Sequence, residues 1–96
     1  MKQVAFAALV AALLPSGLRA DYKQAYALYQ QGRYDRAILE LKPDLDGNPD
    51  WEFGQRLAGL SYLALKNNAL AVSSLSRAVQ LKSTTPSTYL GLAQAY

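Results

Sequence analysis

The sequence repeats small and apolar residues at an interval of 34 positions. Ala25, Gly59 and Ala93 form one such set, and Leu41 and Leu75 form another. Self-similarity at a fixed period of this length is the sequence signature of a repeat array, in which each unit packs on the next. The packing positions predicted from this register are Ala25, Leu28, Ala37, Leu41, Gly59, Tyr62, Ala71, Leu75, Ala78, Ala93 and Tyr96.

The first 20 residues differ in character from the rest. Residues 1–3 carry a positive charge, residues 4–14 have no polar side chain, and residues 15–17 interrupt this run before Ala20. This pattern predicts a secretory signal peptide cleaved after Ala20, and therefore an exported protein, periplasmic or secreted. The apolar run is well short of the roughly 20 residues that a spanning helix needs, so we expect no stable membrane span after cleavage. An uncleaved membrane anchor is the alternative.

The predicted mature part is small, because 96 − 20 leaves 76 residues. A chain of this size buries a limited core. The sequence has no cysteine for a disulfide, and without cysteine or histidine it cannot build the usual structural zinc site. Stability must therefore come from helix packing, from a longer parent chain or from a partner.

Charge is distributed unevenly along the predicted mature part. All seven carboxylates lie between Asp21 and Glu52. Only cations follow, at Arg56, Lys66, Arg77 and Lys82. Four scattered cations favour a solvated face over a matched partner surface, although blocks of charge are also found where partners meet. Because the cations do not cluster, we expect no nucleic-acid partner.

Two helices are predicted in the first half of the mature part. We expect Asp21 to cap the first helix and Gly32 to end it, since glycine suits the left-handed position after a helix. A second helix should begin at about Tyr34. We expect it to stop at Pro43, because proline lacks an amide hydrogen and disfavours the helical state of the preceding residue.

A turn and a third helix should follow. Residues 44–48 have the composition of a turn. Asn48 is expected to cap the third helix, with Pro49 at its first position, where proline is favoured. The apolar residues that follow predict a helix to about Lys66 that is buried between neighbours.

Two more helices complete the prediction. Asn67 and Asn68 should separate the third helix from a fourth at about residues 69–82. Thr85 and Pro86 repeat the combination of a capping residue and a proline, which predicts the start of a fifth helix. No stretch alternates polar and apolar residues as a strand would, so the predicted fold class is all-α.

Segments of the same kind recur in one register: Gly32-x-Tyr34-x-x-Ala37, Ala58-Gly59-x-x-Tyr62, and Tyr89-x-x-Leu92-Ala93-x-x-Tyr96. They resemble the tetratricopeptide repeat, a helix–turn–helix unit of about 34 residues. The resemblance implies a right-handed superhelical array of antiparallel helix pairs. It divides the mature part into an irregular first repeat (21–51), a second repeat (52–85) and the first helix of an incomplete third (86–96), about two and a half repeats.

The sequence offers little for catalysis. Without histidine and cysteine it lacks the commonest general base and the thiolate nucleophile. It also has no nucleophile-elbow motif and no glycine-rich phosphate loop. A calcium loop at residues 44–52 fails on spacing, because its first and last ligand positions would fall on Lys42 and Phe53. We therefore expect no enzyme activity, no cofactor and no metal.

The resemblance instead implies a binding groove, lined by the first helices of successive pairs and able to hold a peptide or a partner helix. The groove positions are Tyr22, Tyr26, Tyr29, Phe53, Arg56, Leu60 and Leu63, followed by Leu90 and Gln94. Exposed tyrosines suit protein binding, although a tyrosine stripe also packs against neighbouring helices.

Two functions are consistent with this reading. The first is an exported module for protein–protein interaction that binds a peptide or a partner helix. The alternative is a structural N-terminal spacer of a longer exported repeat protein whose activity lies beyond residue 96. If the chain ends at Tyr96, we expect a homodimer through the open C-terminal end.

Overall fold

The computed structural model describes residues 21–96, and the predicted signal peptide at residues 1–20 lies outside the described residues. Five helices follow one another: α1 (Asp21–Gln30), α2 (Tyr34–Gly47), α3 (Glu52–Ala64), α4 (Asn68–Gln80) and α5 (Pro86–Ala95). No residue from 21 to 96 lies in a strand. The predicted all-α fold is therefore confirmed for this part of the chain.

The helix boundaries recur at the same interval as the residues. Tyr34 begins α2 and Asn68 begins α4, 34 positions later. Glu52 begins α3 and Pro86 begins α5 at the same interval. The period read from the sequence is therefore a period of helices separated by turns, as a helical repeat requires.

The helix α3 is central, because it contacts each of the other four helices. The helices α1 and α5 both pack on α3, so these three form one layer. On the opposite face of α3, the Cα atoms of α2 and those of α4 stay more than 8 Å apart within residues 21–96. They leave a gap of about 110 Å³, lined by Ile38, Lys42, Leu45, Asp46, Ala58, Tyr62 and Ser74.

The interior is built from small and aliphatic residues that recur at the repeat interval. Ala37 and Ala71 are both fully buried, and so are Leu41 and Leu75. Ala25, Leu41, Leu57 and Ala58 form one cluster where α1, α2 and α3 meet. Small residues at these crossings let helix axes approach closely, while leucines fill the space between them.

The closest approach between helices occurs where α3 meets α4. A Cβ atom added to Gly59 would lie 2.5 Å from Cγ of Leu75 and 3.2 Å from the Leu75 backbone nitrogen. The Leu75 side chain is fully buried, so it has little space in which to move away. The absence of a side chain at Gly59 is therefore required for this helix pair to pack.

Three helices end in the same way. Gly32, Lys66 and Lys82 follow α1, α3 and α4 with positive φ values of 79°, 66° and 67°. At each end the left-handed residue and the next one donate backbone hydrogen bonds to the preceding turn, as from Lys66 to Leu63 (3.0 Å) and from Asn67 to Tyr62 (2.9 Å). This is the Schellman arrangement. It confirms the prediction that Gly32 takes the left-handed position after α1. The helices α3 and α4 end at Ala64 and Gln80, each two residues before the end predicted from the sequence.

The predicted end of the second helix at Pro43 is wrong, because α2 continues through Pro43 to Gly47. Proline removes one amide donor, whose acceptor would be the carbonyl of Leu39. Leu39 is 63% exposed, so solvent reaches that part of the helix. Beyond the proline, Asp44 is buried and Leu45 packs against the core, which anchors the last turn.

The predicted start of the third helix is also wrong. Asn48 does not cap α3; it follows the end of α2 and donates its backbone N–H to the carbonyl of Asp44 at 2.8 Å. Helix α3 begins at Glu52, after Trp51 in extended conformation. The chain reverses at Pro49 and Asp50, where the Trp51 N–H donates a hydrogen bond of 3.3 Å to the Asn48 carbonyl, and the Trp51 ring then packs over Gly54.

The later boundaries agree better with expectation. Asn67 accepts a hydrogen bond from the Leu70 N–H at 3.3 Å, which confirms it as the cap of α4. Pro86 is the first residue of α5, as predicted, but Thr85 makes no side-chain cap. That turn is held by a buried hydroxyl pair instead, in which Ser83 and Thr88 share a hydrogen bond of 2.8 Å.

The tight contact at Gly59 yields a stability prediction. Gly59→Leu and Ala71→Leu each insert a side chain into fully packed space, so each should lower the free energy of unfolding by about 2 kcal/mol or more. Ala93→Leu makes the same addition at an exposed site of α5 and should change it by less than about 0.5 kcal/mol. Urea unfolding followed by circular dichroism measures all three. Equal losses would contradict the packing register.

Candidate functional site

The predicted groove positions lie on the layer formed by α1, α3 and α5. Tyr22 and Tyr26 are 40% and 44% exposed. Tyr29 and the four α3 positions (Phe53, Arg56, Leu60 and Leu63) are half-buried, whereas Leu90 and Gln94 on α5 are exposed. On α3 these residues face away from Ala58 and Tyr62, which line the gap between α2 and α4.

Aromatic rings from α1 and α3 form a continuous surface, here called the aromatic patch: Tyr22, Tyr26, Trp51 and Phe53. Phe53 is its centre. The Phe53 ring lies edge-to-face with Tyr22 at 5.8 Å, 6.2 Å from Tyr26 and 5.7 Å from Trp51 between ring centroids. Separations and angles of this kind are favourable for aromatic pairs. These contacts place the four rings side by side on one surface.

Arg56 lies beside the aromatic patch with its charge already compensated. Its guanidinium carbon is 5.2 Å from the centroid of the Phe53 ring. Its Nε donates a hydrogen bond of 3.0 Å to Glu52 one turn earlier on α3. Both side chains are about three-quarters buried, with 21% and 28% of their surface exposed. The patch is therefore close to electrically neutral.

A depression of about 460 Å³ adjoins the patch at the other end of α1 and α3. It is lined by Tyr29, Leu60, Leu63, Ala64, Lys66, Asn68 and Gln94. Four of these seven are predicted groove positions, contributed by three different helices. The aromatic patch and this depression together are called the groove below.

Tyr29 joins the two parts of the groove. Its ring stacks on Tyr26 at 6.4 Å and meets Tyr34 edge-to-face at 5.5 Å, while its other side lines the depression. Burial raises the pKa of Tyr29 above the ordinary value of 10.0, and the neighbouring Tyr34 and Tyr26 raise it further. The Tyr29 hydroxyl therefore remains protonated, and able to donate a hydrogen bond, at neutral pH.

The tyrosines of α1 were predicted either to be exposed for protein binding or to pack against neighbouring helices, and each interpretation holds for part of the set. Tyr22 and Tyr26 present much of their surface to solvent, whereas Tyr29 packs against the core cluster. Among the packing positions, Ala93 on α5 and Tyr96 directly after it are exposed, and no further helix within residues 21–96 covers them.

Four groove residues were missed from the sequence. Trp51 belongs to the aromatic patch, and its position two residues before Phe53 is the signal that could have found it. Ala64, Lys66 and Asn68 line the depression because α3 ends and α4 begins beside it. Lys66 lies 34 positions after Gly32, so the repeat interval itself marks it as the residue that ends α3.

The acidic segment at residues 44–52 forms no ligand set. Asp44 is buried, Asp50 pairs with Arg77 on α4, and Glu52 pairs with Arg56. In the part of the chain that the structure describes, no three acidic, histidine or cysteine side chains are placed to hold a metal ion. Between residues 21 and 96, no helix combines the length and the apolar composition needed to cross a membrane.

Comparison of the chain with protein-family models, with curated proteins and with solved structures finds no match. The function of the groove is therefore inferred from its own residues.

The raised pKa of Tyr29 predicts a loss of stability at alkaline pH. Above about pH 10 the unfolded chain releases the Tyr29 proton before the folded chain does, so the free energy of unfolding should fall as the pH rises. Tyr29→Phe removes this titration and should show a smaller fall between about pH 9 and pH 11. Thermal unfolding of both proteins across this range measures the difference. Parallel curves would contradict the buried environment of Tyr29.

Proposed function

We propose that this chain is an exported helical-repeat protein that binds an extended peptide or a partner helix in its groove. The observation that carries the proposal is the continuity of the groove, in which an aromatic patch joins a depression with both apolar and polar lining residues on a single helix layer. Anchored aromatic and aliphatic side chains of this kind dominate the energetics of protein interfaces. The signal-like pattern of residues 1–20 supports export.

The proposed architecture is an array of tetratricopeptide type with a right-handed superhelical twist. Three observations support it: helices recur every 34 residues, the first helices of successive pairs adjoin, and the closest crossing depends on glycine. In such arrays the layer of first helices forms the concave binding surface. The groove lies on that layer.

The groove is open to solvent rather than closed around a small cavity, and it combines aromatic and aliphatic side chains with polar ones. Such a surface suits a chain that lays successive side chains against it. The hydroxyls of Tyr22 and Tyr26 add hydrogen-bonding groups to the aromatic area, a combination that is common where proteins bind one another.

Peptide selection tests this function. Random peptides displayed on phage, with both ends fused to carrier sequence, are selected against the purified full-length chain. Retained peptides should bind the double variant Tyr26→Ala and Leu60→Ala at least about tenfold more weakly, because each change removes an anchor. Fluorescence anisotropy with the synthetic peptides measures the affinity.

Two variants on the opposite helices serve as controls. Leu39→Ala on α2 and Leu70→Ala on α4 truncate side chains that are as exposed as Tyr26 or more so, and neither lines the groove. They should leave the affinity unchanged. Circular dichroism checks that all variants are folded. Retention of no peptide, or equal binding by the groove variants and the parent chain, would refute the proposed function.

A second candidate function is favoured by the outer surface of α5. Tyr96 is 84% exposed, and Tyr89, Leu90 and Ala93 are also exposed on this helix. In a repeat array, an apolar surface of this kind receives the next helix. This favours the structural spacer of a longer exported repeat protein, or a homodimer through α5.

Light scattering distinguishes these two arrangements in the purified chain. A homodimer through α5 predicts twice the monomer mass, and Leu90→Lys with Tyr96→Lys should return it to the monomer. A monomeric parent chain would exclude the homodimer and leave the spacer as the second candidate.

A further inference from the structure

The two ends of the groove differ in charge. At the aromatic patch, the positive charge of Arg56 is compensated by Glu52 at 3.0 Å. At the depression, Lys66 is the one charged residue among those that line it. The groove is therefore neutral at one end and positive at the other.

The sequence after Glu52 contains no acidic side chain that could form an ion pair with Lys66. The last carboxylate is Glu52, and residues 53–96 contain none. Within residues 21–96, Lys66 takes part in no ion pair, since Arg56 and Arg77 are the cations that pair with carboxylates there. A positive group beside an apolar surface is complementary to a partner that carries a negative one.

The position of Lys66 is fixed by its backbone. It occupies the left-handed residue that ends α3, where hydrogen bonds of 3.0 Å and 2.9 Å close the last turn. Asn68 and Gln94 line the same depression, and amide side chains can donate hydrogen bonds to an oxygen ligand. Leu60 and Leu63 supply apolar area beside these polar groups.

The separation of the two ends determines the spacing of a partner's side chains. Phe53 in the patch and Leu63, which lines the depression together with Lys66, are ten residues apart on α3, which corresponds to about 15 Å along the helix. An extended peptide advances about 3.3 Å per residue, so it covers this length in roughly five residues.

We propose that the groove recognises an extended peptide with an apolar or aromatic residue at the aromatic patch and an aspartate or glutamate about five residues away at Lys66. The proposal rests on the proposed function, and it commits to a side-chain carboxylate within a continuous segment. The partner is therefore an acidic, partly apolar strand of another protein.

The phage selection described above tests this inference, because both peptide ends are fused and no terminal carboxylate is free. Peptides selected on the parent chain should be enriched in aspartate or glutamate about five residues from an apolar residue. Selection on Lys66→Glu should lose this enrichment and favour lysine or arginine at the same place. Selected peptides that bind the groove but show no enrichment of aspartate or glutamate would overturn the inference and leave the proposed function standing.

Matched variants then test Lys66 directly. For a selected acidic peptide, Lys66→Gln should weaken binding by about two- to fivefold, and added salt should reduce the difference. Lys66→Arg should retain the affinity of the parent chain. Lys82→Gln is the control, since Lys82 has the same left-handed backbone after α4 (φ 67°) but does not line the depression.

The outcomes separate the two proposals. If no peptide is retained, the proposed function fails and the inference fails with it. If peptides are retained but Lys66→Gln and Lys82→Gln have equal effects, the charge of Lys66 is not recognised and the inference alone is overturned.

Discussion

The contact of Leu75 with two glycine positions supports the rest of the fold. A Cβ atom on Gly59 would lie 2.5 Å from this side chain, and one on Gly91 would lie 3.2 Å from its Cδ1. One buried leucine of α4 therefore occupies space that is left open on both α3 and α5. Because α3 and α5 are held at this spacing, their outward residues come close enough to share one depression with α1.

The groove follows from the division between small residues inside and large residues outside. Small side chains at Ala25, Ala58 and Gly59 allow helices to pack closely. The large side chains lie instead on the outer face of the layer, where Phe53 and Leu60 are beside the tyrosines of α1. The same pattern of side-chain sizes thus provides the core and leaves an apolar surface accessible to a partner.

The helices were predictable from the sequence, because the period relates equivalent residues and Gly32 carries an unambiguous conformational preference. The path of the chain between α2 and α3 was not. At Pro43, packing of Leu45 and Asp44 outweighs the local preference of proline, and near Asn48 the Trp51 ring sets where α3 starts. Both effects depend on tertiary packing, which local sequence preferences do not include.

The groove residues were predictable as a face, because their register is helical, but their charge balance was not. Pairing of Arg56 with Glu52 depends on rotamers that spacing alone does not fix. Lys66 lines the depression from the position after α3, where it has a backbone conformation that usually belongs to glycine. The sequence alone showed Lys66 as one of four scattered cations and did not distinguish it from the other three.

The gap between α2 and α4 has a mechanical consequence. Because the backbones of these helices stay apart, the unit formed by α1 and α2 is joined to the rest chiefly through α3. The groove crosses this junction, since residues of α1, α3 and α5 all line its depression. The shape of the groove therefore depends on how the first unit is seated on α3.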